Sequence, residues 1–122
     1  MKKKLLDRLD RRVYLNYMVS EDSISHLIDV ITTHIHAKQI ILFGSYAQHT
    51  MRPDSDIDIL VLVDDTVSNL REIVQLLYRK VYTVIDVPCD ILVEHESTFR
   101  ERSVLPTIER TVAREGKVLY AA

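Results

Sequence analysis

The sequence predicts one domain of the α+β (mixed α/β) class, a small mixed sheet flanked by helices. Stretches with apolar residues at helical spacing alternate with short, continuously apolar runs, and no repeat, linker or low-complexity tract interrupts them. The 122 residues, 47% of them hydrophobic, suffice for one compact core and are too few for two ordinary domains. The two glycines and three prolines fall at expected element boundaries.

Residues 1–19 place Leu5, Leu9, Val13 and Tyr17 four apart, the stripe of a helical arm whose other side carries Lys and Arg. That arm packs on the body or docks a partner. Ser20 is expected to cap a second helix, opening a core over residues 20–122, with Glu21 and Asp22 in its first turn. Ile24, Leu27, Ile28, Ile31 and Ile35 form its apolar stripe, ending near Ala37. Ile40 to Phe43 reads as a buried strand stopped by Gly44-Ser45, and Tyr46 to Gln48 as a turn of helix. Arg52-Pro53-Asp54-Ser55 is turn chemistry, because proline fixes its own φ and restrains its predecessor.

Asp56 to Val63 is a second strand, polar at its start and apolar afterwards, as for a strand covered on both faces except at one end. After the Asp64-Asp65-Thr66 loop, a helix beginning at Ser68 spaces Leu70, Ile73, Val74, Leu77 and Val81 on one face. Val84 to Val93 supplies the third strand, with Pro88 at its beginning or at an edge. Beyond a polar stretch from Glu94 to Arg102, Leu105, Ile108 and Val112 predict a last helix. Pro106 falls in its first turn and Gly116 past its end. Val118 to Tyr120 closes the sheet as an edge strand.

A charged fraction of 28% and a net charge of −2 argue against disorder and against nucleic-acid binding through bulk positive charge. Any bound phosphate must be met locally. The single cysteine, Cys89, has no internal disulfide partner and sits in an apolar run, which points to the reducing cytoplasm. Charges at Asp7, Arg8, Asp10, Arg11 and Arg12 interrupt what a signal peptide needs as an apolar stretch, and no segment approaches the ~20 apolar residues of a membrane span.

Gly44 lies between a strand and a short helix, where a missing Cβ lets backbone approach a ligand and Ser45 with the following N–H groups can face phosphate. By itself the pair reads more readily as a turn with a serine cap. Asp56 and Asp58 stand two apart on a strand and so share a face. Crowded carboxylates repel unless a cation lies between them or one stays protonated, and magnesium commonly binds through one or two carboxylates plus substrate phosphates. By itself Asp-x-Asp reads more readily as a solvated strand end. Asp90 shares a face with Leu92 and Glu94, and joins Asp56 and Asp58 if the two strands are neighbours; Asp86 has the same parity and is the rival third carboxylate.

Gly44-Ser45, ten residues, then Asp56-x-Asp58, within Phe-Gly-Ser-Tyr-Ala…Arg-Pro-Asp-Ser-Asp-Ile-Asp-Ile-Leu-Val, resembles the signature of the polymerase-beta-like nucleotidyltransferases, and most closely their minimal nucleotidyltransferase (MNT) group. The likeness extends from about Ile40 to Tyr120 and takes in Val-Pro-Cys-Asp-Ile-Leu-Val, with Asp90 where the family has its third carboxylate. It implies an enzyme with ATP as donor and Mg2+, two ions in such sites, as cofactor. Gly44 and Ser45 would bind nucleotide, and Asp56, Asp58 and Asp90 would be both catalytic and metal-holding. It also implies an antitoxin whose partner is a HEPN-domain toxin, silenced by transfer of AMP to a tyrosine hydroxyl. Two rival functions stay open: an antitoxin that acts by occlusion alone, and a small-molecule transferase of the aminoglycoside-modifying kind, which would build its pocket as a homodimer. Gln48-His49 departs from the basic residue and glycine that many relatives carry, and His49 is expected to strain the turn or to weaken phosphate contact.

The remaining polar residues point to bland roles. His34 and His36 suit a helix C-terminus, His95 with Glu94 and Glu96 suits a solvated strand end, and Arg52, Arg79 and Lys80 suit the surface.

Overall fold

The computed structural model describes residues 11–52 and 54–122. Helix α1 (Arg11–His34) leads into β1 (Gln39–Phe43), the single-turn α2 (Ser45–Gln48) and β2 (Ile57–Val63). Helix α3 (Leu70–Tyr82), β3 (Cys89–His95), α4 (Glu96–Ser103), α5 (Ile108–Glu115) and β4 (Lys117–Ala121) follow. The four strands form one sheet in the order β3-β2-β1-β4. β1 runs antiparallel to β2 and β4, whereas β3 runs parallel to β2 and is reached through α3 as the crossover. The class is the mixed one expected.

Alternation along the central strands divides the apolar residues between two layers. On one face Ile40, Leu42, Ile57, Ile59, Val61, Val63, Ile91 and Val93 pack under Leu27 and Ile31 of α1 and Leu77 and Val81 of α3. On the other, Ile41, Leu60 and Leu62 are covered by Val112 of α5, with Phe43 and Phe99 at the margin. β2 is therefore buried at every position except Asp58. Each fully buried aliphatic here contributes about 1.5–3 kcal/mol. The second layer is the smaller, and on its side Asp90 is exposed and Leu92 stays 39% exposed.

Where the structure departs from the sequence expectations, local hydrogen bonds give the reason. One helix runs unbroken through Ser20, which is not a cap; nothing between Arg11 and His34 is proline or glycine. Leu5 and Leu9 of the expected arm lie outside the described residues, as does Pro53. α3 is capped by Asn69, whose side chain accepts from Glu72 N–H at 3.2 Å, and not begun at Ser68. The third strand starts at Cys89, because Val84 and Ile85 return their N–H groups to Val81 O (3.1 and 3.2 Å) and prolong the end of α3. Pro88, which has no N–H to give, opens the ladder through its carbonyl, accepting from Ile57 N–H at 2.9 Å. The polar stretch after β3 forms α4, and Pro106 precedes α5, whose cap is Thr107 accepting from Arg110 N–H.

A carboxyl pair ties β3 to the α4–α5 layer. Glu109 is 5% exposed, and Arg102 Nε donates to its Oε1 at 2.9 Å. Burial opposes the charge on Glu109, but hydrogen bonds from its own backbone N–H, Arg102, Thr107 and Glu94 hold it below its usual range. Burial first, then the hydrogen bond and charge of Glu109, push Glu94 up to about 7. No N–H meets the buried Glu109 Oε2, so a proton on Glu94 is the donor at hand. Because the folded-state value of Glu94 lies above its free value of 4.5, its stabilisation is full below that value and lost as pH rises through about 7. Glu94→Gln, which keeps an N–H donor at every pH, is expected to hold its melting temperature between pH 6 and 8 while the parent falls; parallel melting curves would contradict the shared proton.

Candidate active site

The sheet register brings three of the expected site residues together. Asp58 on β2 is the direct partner of Asp90 on β3 on one side and of Phe43, the last residue of β1, on the other. Neighbours in register on parallel strands project to the same face, so both carboxyls leave the sheet on the side of Leu60 and Leu62. Phe43 delivers the chain directly into Gly44, which adopts φ 74° and ψ −155°, a conformation open in practice only to glycine. A Cβ built at Gly44 would overlap the Oδ2 of Asp58. Turn and carboxylate thus share one small space, and the missing side chain is what allows it.

Burial first, then the charges of Asp90 and Asp56 and a hydrogen bond to Asp90, push the Asp58 carboxyl from 3.8 up to about 6. Asp56, exposed and two residues before Asp58, is thereby placed within electrostatic reach of the pair. Burial, followed by the same three aspartates, pushes the Cys89 thiol up to about 12, so this cysteine stays protonated. The cluster is an acidic edge short of positive charge. Oxygen donors in that state suit a hard divalent cation. Among the described residues no three His, Cys, Asp or Glu side chains are already gathered into a cation cage. Asp56 and Asp90 are exposed and Asp58 is half-buried, so the edge is open to solvent.

Ser45 begins α2, half-buried, with its carbonyl accepting from Thr50 N–H at 2.9 Å while Gly44 O accepts from Gln48 N–H at 3.2 Å. Tyr46, 6% exposed, donates its hydroxyl to Ser55 O at 3.4 Å and so links this turn to the segment that delivers Asp56. That segment is folded by Arg52 N–H to Ser55 Oγ (2.6 Å) and Ser55 N–H to Arg52 O (3.0 Å). Sequence reasoning gave Tyr46 no role, because a hydroxyl contact nine residues along the chain leaves no periodic signal.

Asp86 lies in the segment before β3, beside Tyr82 and Ile85 in a surface groove, and is not among the charges acting on Asp58. It is no third member of the cluster. His49 is the non-glycine residue with positive φ (58°) among the described residues, a left-handed helix end that costs a non-glycine residue about 1–2 kcal/mol. The expected strain is there, while Gln48 Nε2 donates to Glu115 O at 3.2 Å and pins the turn to the end of α5. His95 is not a solvated strand end, because its Nε2 lies 2.7 Å from Val67 O. Arg52, Arg79 and Lys80 are exposed.

The chain matches the family model described as "Polymerase beta, Nucleotidyltransferase" over residues 25–122. A protein of Methanocaldococcus jannaschii carrying a protein adenylyltransferase name is 37% identical over 83 residues, which cover 68% of this chain and 78% of that protein. A solved toxin-antitoxin complex with AMP-PNP is similar at 31% identity and a TM-score of 0.59, covering 84% of this chain and 73% of the other. A third similarity is to the solved complex of a tri-AMPylated HEPN toxin from Shewanella oneidensis with its MNT antitoxin. There the identity is 26% and the TM-score 0.57, over 84% of this chain and 72% of the other.

Proposed function

The chain belongs to the polymerase beta nucleotidyltransferase family, and on that premise we propose that it is a magnesium-dependent adenylyltransferase that moves AMP from ATP to a tyrosine hydroxyl of a HEPN-type partner, acting as its antitoxin. The observation that carries the reading is the register of Asp58 with Asp90 beside the glycine turn. Support for the donor comes from the AMP-PNP complex, and for the partner and the modification from the AMPylated toxin held by its antitoxin. The name of the M. jannaschii relative agrees with a protein acceptor.

In this reading Gly44 and Ser45 take the triphosphate, Ser45 through its hydroxyl and Gly44 by leaving room for close approach. Asp56, Asp58 and Asp90 would hold magnesium. Bound there, magnesium would supply neutralisation of the triphosphate charge. The acceptor oxygen attacks the α-phosphorus and forms the new P–O bond as the bond to the bridging oxygen breaks. Pyrophosphate leaves with that electron pair, and the hydroxyl proton passes to the Asp90 carboxylate. Positioning and electrostatics supply most of the rate. The partner brings the hydroxyl, since the described residues are committed to one sheet and its helices. We place the protein in the cytoplasm on its free thiol at Cys89; no described helix is long and apolar enough to cross a membrane.

Incubation with magnesium, ATP labelled on the α-phosphate and a co-purified HEPN-type partner tests this. Label is expected on a tyrosine of the partner, mapped by mass spectrometry, and only when magnesium is present. A partner neutralised without acquiring label would favour antitoxin action by occlusion.

A further inference from the structure

Among the described residues β3 is an outer strand, with no ladder on the flank away from β2. On that flank the N–H of Ile91 donates to the hydroxyl of Tyr78 at 2.8 Å. The same planar peptide unit carries the carbonyl of Asp90, so anchoring its N–H restrains that plane and, through it, the backbone from which the Asp90 side chain leaves the strand. β2 holds Asp90 from one side and Tyr78 holds it from the other. Tyr78 belongs to α3, and its ring lines a groove of about 200 Å³ with Val81, Ile85, Pro88 and Cys89. It remains 40% exposed, so core filling does not account for its place.

We propose that Tyr78 is a positioning residue for Asp90, holding the Asp90–Ile91 peptide so that the carboxyl stays turned toward Asp58. The proposal rests on the reading of Asp90 as a cation-holding group. Supporting groups of this kind typically change metal affinity by about 10-fold when removed. Phenylalanine at this position keeps the ring in its groove and deletes only the acceptor oxygen.

The test uses the full chain with Mn2+ as the probe, its binding followed by the electron paramagnetic resonance of the free ion. Tyr78→Phe is expected to weaken Mn2+ binding about 10-fold and to speed solvent exchange of the Ile91 amide roughly fivefold. Asp90→Asn is expected to weaken Mn2+ binding further, and Tyr78→Phe added to it to cause no additional loss, because the two act through one carboxyl. Unchanged Mn2+ affinity and Ile91 exchange in Tyr78→Phe would overturn the proposal, as would full additivity in the double variant, the mark of general loosening. If Asp90→Asn binds Mn2+ as the parent does, the assignment of Asp90 to the cation fails instead. The Ile91 exchange rate then decides alone: faster exchange supports the positioning of the strand by Tyr78, and unaltered exchange overturns it.

Discussion

Replacing Asp56 and Asp58 together with asparagine is expected to reduce nucleotidyl transfer on the order of a thousandfold or more while leaving the chain folded. Asparagine matches aspartate in shape, so the packing of Ile57 and Ile59 on either side of Asp58 is undisturbed. What disappears is the negative charge that, in the proposed reading, holds a cation against the triphosphate. Fold and chemistry separate here, because burial first and then the neighbouring carboxylates disfavour ionisation of Asp58, which so costs stability at neutral pH. Removing it should not lower the melting temperature at pH 8 without divalent cations. Transfer of α-phosphate label close to that of the parent would contradict a catalytic role for this edge, and unfolding of the variant would contradict the electrostatic picture.

Gly44→Ala is expected to damage both stability and activity. A φ of 74° with ψ −155° is a region that L-residues avoid, and the strain alone is worth about 1–3 kcal/mol. The added methyl would also meet the Asp58 carboxyl. Either the turn moves, displacing Ser45, or Asp58 swings away from Asp90; each outcome separates groups that the proposed reaction brings to one substrate. Chemical denaturation should show a loss of about 2 kcal/mol, and transfer should fall by roughly 100-fold. Alanine tolerated in both assays would mean that the close approach at this turn has no bearing on the site.

Much of the candidate site was legible because its spacing is short and its geometry periodic. Asp56 and Asp58 share a face by the two-residue period of a strand, and Gly44 announces a tight turn at the end of an apolar run. Asp90 could be placed on a face by parity, but its partnership with Asp58 depends on β3 lying parallel to β2 in one register, and strand pairing is a long-range property. The same limit applied to Asp86, whose parity was equal until the strand was found to begin at Cys89. α4 escaped notice because Glu96 to Ser103 is polar and offers only Phe99 to the second core cluster. Ser20 misled because a capping residue followed by acids reads the same in the middle of a continuous helix. Hydroxyl contacts such as Tyr46 to Ser55 and Tyr78 to Ile91 leave no periodic trace at all.

The Asp58 carboxyl provides the sharpest test, followed by 13C NMR as pH is varied with and without magnesium. Its folded-state value lies above its free value, so the stabilisation it gives is complete below about 3.8 and is lost as pH rises through about 6. Without magnesium the midpoint should therefore lie near 6, and saturating magnesium should bring it down below the free value, because the cation replaces the shared proton. A midpoint at the ordinary 3.8 that ignores both magnesium and Asp90→Asn would mean that the three aspartates do not act on one another and that no cation is held between them.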